Sequence, residues 1–117
     1  MRAARGAIRV REDNSENVFA ATERLLTAMF ERNGVESEDV VSIFFTATED
    51  LRSAFPAEAA RRMGLGEVPL MCAQEIPVRG AMPSVVRILM HFHTVREPGE
   101  IAPIYLDGAE SLRDDLG

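Results

Sequence analysis

An arginine stands in the middle of one of the most apolar runs of this chain. The run is Ser84-Val85-Val86-Arg87-Ile88-Leu89-Met90-His91-Phe92, and nothing within it can neutralise the charge. It is too short to cross a membrane, and its β-branched residues favour an extended strand. As a strand, Val86, Ile88, Met90 and Phe92 share one face, and Arg87, Leu89, His91 and His93 share the other. The first face is the one to bury, so Arg87 points away from it. A guanidinium in such surroundings is too costly to leave unpartnered. A carboxylate from elsewhere in the fold and an anionic ligand are both open as its partner.

The rest of the chain supplies the frame for that strand. Ala4 to Arg11 alternates as a first strand, and Asp13 to Glu16 supplies acidic cap and first-turn residues for a helix. Val18, Phe19, Leu25, Leu26, Met29 and Phe30 lay an apolar stripe along that helix, which Asn33-Gly34 ends. Val40 to Thr46 is β-branched and aromatic on both faces and reads as a central strand. After the loop Thr48-Glu49-Asp50, Pro56 opens a short helix that Gly64 and Gly66 close. Val68 to Glu75 is a third strand, Val86 to His93 the fourth and Ile104 to Leu106 the fifth, with a polar tail from about Gly108. The order β-α-β-α-β-β-β predicts one α/β (α+β) domain over residues 1–117: a five-stranded mixed sheet with two helices on one face. Two helices cannot cover both faces, and the second still carries apolar residues, so oligomerisation is expected to bury it.

Composition narrows the function. With 117 residues and a formal charge of -6, the chain has no basic tract for nucleic acid. It has no apolar run long enough for a membrane span and no secretory segment, and its single cysteine, Cys72, rules out an internal disulfide, so a cytoplasmic protein is expected. All 13 basic residues are arginine, which points to compositional bias as readily as to a site. An anionic ligand would need arginines that converge locally.

The residues with chemical potential are Arg5, Arg61, Arg87, Arg113, Cys72, Glu75 and Tyr105, with Phe55 as an apolar wall. Singly, each has an ordinary explanation. Arg5, Arg61 and Arg113 can be solvated surface groups, and Cys72 can be a small core residue. No histidine is spaced to activate Cys72, and His91-x-His93 has no companion ligands, so no metal site is expected. A Gly-rich phosphate loop and a serine nucleophile elbow are also missing. A regular strand puts Cys72 and Glu75 on opposite faces; a bulge or bend before Pro77 is needed if both touch one ligand.

Several fragments occur together in a familiar order: Arg5-Gly6-Ala7, Thr46-Ala47-Thr48-Glu49-Asp50-Leu51, Ala54-Phe55-Pro56-Ala57-x-Ala59-x-Arg61, Val68-Pro69-Leu70-x-Cys72-x-x-Glu75, Val86-Arg87-Ile88 and Ile104-Tyr105-Leu106. Jointly they resemble the monofunctional AroH-class chorismate mutases over nearly the whole chain. That resemblance implies a homotrimer with a pseudo-α/β barrel core and active sites between subunits. It implies a cofactor-free Claisen rearrangement of chorismate to prephenate, on the route to phenylalanine and tyrosine. By resemblance, Arg5, Arg61 and Tyr105 meet substrate carboxylates, Phe55 forms the apolar wall, and Glu75 and Cys72 take the ring-hydroxyl side. Arg87 reaches the ether oxygen, and Arg113 in the tail assists electrostatically. Glu58 stands where the family commonly has lysine, and Asp114 where proline is usual. Two rivals are a RidA-like imine deaminase, whose family lacks the Phe55 and Cys72-x-x-Glu75 segments, and a non-catalytic metabolite-binding trimer.

Overall fold

The structure is a computed structural model and describes residues 1–112. The chain runs β1 (Arg2–Arg9), α1 (Ser15–Asn33), β2 (Val40–Ala47), α2 (Pro56–Arg62), β3 (Leu70–Gln74), β4 (Val85–Phe92) and β5 (Ile104–Leu106). This is the predicted order of elements. β3 is shorter than the 68–75 expected because Pro69 has no N–H to extend the ladder, although its carbonyl still accepts from Ile43 N at 3.0 Å.

The five strands form one mixed sheet in the order β3-β2-β4-β1-β5. The arginine-bearing β4 lies at the centre, antiparallel to β1 and β2, while β3 runs parallel to β2 and β5 parallel to β1. The register aligns Tyr105, Ala7, Arg87, Thr46 and Ala73 in one row across all five strands. Side chains paired in this way share a face, so the row places Arg87 beside residues far from it in sequence.

Both helices cover the other face. Asn14 caps α1 by accepting from Asn17 N at 2.8 Å, and the stripe Val18, Ala21, Leu25, Leu26 and Met29 is buried against the sheet. Gly34, at φ 62°, ends the helix in the left-handed conformation that its spacing predicts. The close fit of α1 over β1 needs Gly6, because a Cβ there would lie 2.6 Å from Met29 Sδ and 3.0 Å from Leu25 Cδ1. Ile8, Ile43, Phe45, Val86, Ile88, Met90 and Phe92 complete the core from the sheet side.

The opposite face is partly open. Its Gly108 end is covered by a segment read from sequence as polar tail: Ala109 and Leu112 are buried against Ala7 and Val85, with Met82 and Tyr105 packed alongside. The two apolar side chains, three apart on a single turn at Ala109–Ser111, were masked in the sequence by their charged neighbours. Elsewhere Phe44, Met71 and Leu89 stay exposed, and Phe44 is the cross-strand neighbour of the other two.

Candidate active site

Arg87 has its carboxylate partner within the same chain. Its Nε donates to Glu75 Oε2 at 3.0 Å, and Thr46 Oγ1 donates to the same oxygen at 2.7 Å. The register explains the meeting: Thr46 lies directly opposite Arg87 on β2, and Glu75 follows the end of β3, tied by Glu75 N to Ala47 O at 2.9 Å. Both side chains are only partly exposed, Arg87 at 35% and Glu75 at 19%. The pair therefore fixes the guanidinium plane while its terminal nitrogens make no hydrogen bond among the described residues. Arg5, Phe44, Thr46, Arg87, Leu89 and Tyr105 line a concavity of about 340 Å³ on this face. Arg5 and Arg87 against Glu75 leave it one net positive charge, a local reversal of the chain's negative total.

Phe55, Arg61 and Cys72 lie elsewhere. Cys72 pairs with the buried Phe45 and packs toward the helix-covered face, opposite to Glu75. No bend brings the two together, and the regular alternation of β3 holds. Cys72 and Phe55 line a separate hollow of about 640 Å³ with Phe45, Leu51 and Gln74. Phe55, the residue before α2, is 73% exposed, an unusual position for a phenyl ring without a cover. Arg61 projects from α2 and is engaged by Glu58 at 3.0 Å. Arg113 lies outside the described residues.

Two carboxylates pin the loop between β2 and α2. Asp13 accepts hydrogen bonds from Ser53 Oγ, Ser53 N and Arg52 N, which hold its carboxyl below the usual value. The acidic run Asp13 to Glu16 predicts Asp13 at the start of α1, but Asn14 is the residue that caps the helix. At Asp50, burial pushes the carboxyl up, but bonding by Thr48 and by the hydroxyl and N–H of Ser84 outweighs it, and the net shift is downward. Ser84 has φ 60°, and Asp50 holds it in that strained conformation just ahead of β4. Neither Thr46 nor Asp13 stood out as a site residue. For Thr46 the signal was a hydroxyl at the end of an otherwise apolar strand, but only the register shows what it faces.

A fixed guanidinium beside a second arginine and a tyrosine can bind an anion and stabilise charge that develops on an oxygen. A family model described as chorismate mutase type I matches residues 1–116. The chain belongs to the chorismate mutase type I family. It is 47% identical to chorismate mutase AroH of Thermus thermophilus, across 99% of this chain and 96% of that protein. It is 37% identical to chorismate mutase AroH of Bacillus subtilis strain 168, across 99% and 92%. A solved chorismate mutase from Clostridium thermocellum superposes with a TM-score of 0.93 at 42% identity, covering 95% of this chain and 99% of that one. The protein is accordingly a chorismate mutase, an isomerase. These matches lend no support to the imine deaminase or to the non-catalytic trimer.

Proposed function

We propose that this chorismate mutase works as a homotrimer whose active sites lie between subunits. Arg5, Glu75, Arg87 and Tyr105 come from one copy, and Phe55, Arg61 and Cys72 from its neighbour. The observation that carries this reading is the separation of the two groups within one chain, on different hollows, beside an exposed apolar strip of Phe44, Met71 and Leu89. A second copy laid on that strip would cover it. In a closed ring of three, the exposed Phe55 ring would be covered by the other neighbour.

In the site, Arg5, Arg61 and Tyr105 receive the substrate carboxylates and hold the chair-like conformer in which the two carbon termini approach to about 3–3.5 Å. The Claisen rearrangement breaks one C–O bond and makes one C–C bond within the substrate, so it needs no nucleophile, proton transfer or cofactor. Negative charge grows on the ether oxygen as the C–O bond lengthens, and Arg87, its plane set by Glu75 and Thr46, meets that oxygen. Glu75 also offsets positive charge on the ring fragment, and Cys72 lines the ring-hydroxyl side. Arg113 is assigned an electrostatic role in the tail. Neither nucleic acid nor membrane belongs to this reading, and the enzyme is placed in the cytoplasm; among the described residues no helix is long and apolar enough to cross a membrane.

The purified protein should consume chorismate, seen as loss of its diene absorbance, and yield phenylpyruvate after acid treatment. Sedimentation should return the mass of three chains. Co-expression of Arg87→Ala with Arg61→Ala should restore activity that neither variant has alone, because mixed trimers contain some sites with both groups intact. Failure to restore it in demonstrably mixed trimers would place the whole site within one chain.

A further inference from the structure

The ring of Phe55 is largely exposed and has no hydrogen bond to orient it, so its place is set by its backbone. Downstream, Pro56 is buried as the first residue of α2. Upstream, only Ala54 separates Phe55 from Ser53, and there the chain is clamped by a side chain from a different connection. Asp13, between β1 and α1, accepts from Ser53 Oγ at 2.6 Å and Ser53 N at 3.2 Å through Oδ1, and from Arg52 N at 3.1 Å through Oδ2. Three donors from two consecutive residues on one carboxylate fix both the position and the direction of the chain entering Phe55. Within the loop itself, Leu51 N bonds to Thr48 O, and Arg52 Nε to Glu49 O, but neither contact reaches past residue 52.

We propose that Asp13 is a positioning residue of this enzyme: it holds Ser53 so that Phe55 stands as the apolar wall of the cleft. The inference rests on the assignment of Phe55 to that wall. Asp13 touches no substrate and acts through the loop.

Asp13→Ala should raise KM for chorismate by about 3- to 10-fold, because a loosened Phe55 segment must be ordered again on binding, with kcat within twofold of wild type. Asp13→Asn keeps one acceptor oxygen and should recover part of that loss. Ser53→Ala removes only the hydroxyl bond and provides the test if Asp13→Ala does not fold. The deciding measurement is the double variant. If Asp13 works through Phe55, Asp13→Ala in a Phe55→Ala background should leave KM where Phe55→Ala alone puts it. Additive effects on KM, or a lower melting temperature with KM unchanged, would overturn the inference and leave the enzyme assignment standing. No turnover by the wild-type protein would overturn both.

Discussion

Replacing Arg87 by alanine removes two things that the structure allows to be weighed separately. The first is the ion pair with Glu75. Its members are 35% and 19% exposed, and Glu75 keeps the Thr46 hydroxyl at 2.7 Å, so the cost to folding should be no more than about 1 kcal/mol. The second is the donor aimed into the concavity shared with Arg5 and Tyr105. Losing one preorganised donor at an oxygen that gains charge costs about 2.7–4 kcal/mol, or a factor of about 100 to 1,000 in kcat. The variant should therefore stay folded by circular dichroism and lose orders of magnitude in kcat. KM should rise by less, although the concavity loses its net positive charge. Arg87→Lys supplies a single point charge that can pair with Glu75 or reach the substrate but lacks the fork to do both, so it should regain only part of the rate. The measurement is the initial rate of chorismate loss across substrate concentrations. A kcat within threefold of wild type in folded Arg87→Ala protein would refute the reasoning, and a change confined to KM would reduce Arg87 to a binding residue.

Glu58→Gln should lower KM, because Glu58 holds Arg61 at 3.0 Å and competes with a substrate carboxylate for it; an unchanged KM in steady-state assays would show that the exposed pair is open in solution. Gly6→Ala should destabilise by about 1–3 kcal/mol in urea melts, since the added Cβ meets Met29 Sδ and Leu25 Cδ1, and wild-type stability would mean that α1 shifts freely. Asp13 and Asp50 both have lowered pKa values, so their contribution to stability is complete above the unfolded value of 3.8 and is lost as pH falls through the lower folded values. Thermal melts should accordingly fall in that acid window, and Asp50→Asn combined with Asp13→Asn should flatten the dependence. An equally steep fall in the double variant would assign the acid loss to other groups.

The legible part of the site was its list of residue types. Arg87 stood out because an unpartnered charge in an apolar strand is costly, and that reasoning left an ion pair and a ligand equally open. The structure supplies the ion pair, and the terminal guanidinium nitrogens make no hydrogen bond among the described residues. The alternation of β3 likewise said that Cys72 and Glu75 face opposite ways, and they do. What that separation means could not be read from the strand alone, because it depends on which hollow each face opens into. Asp13 shows the reverse error. An acidic residue one place before a helix cap fits a helix start, yet its oxygens belong to a loop about forty residues away in sequence.

Local periodicity determined the elements: the seven strands and helices, the face of β4 that is buried, and the left-handed glycine that ends α1 all follow from contacts within a few residues, which the order of amino acids specifies directly. Strand order and register belong to the tertiary structure. They arise from hydrogen bonds and packing between segments far apart in the chain, and they set Thr46 and Glu75 beside Arg87, put Tyr105 in its row, and bring Leu112 over Ala7. A charge that the sequence could only flag thus becomes an oriented guanidinium once those long-range pairings exist.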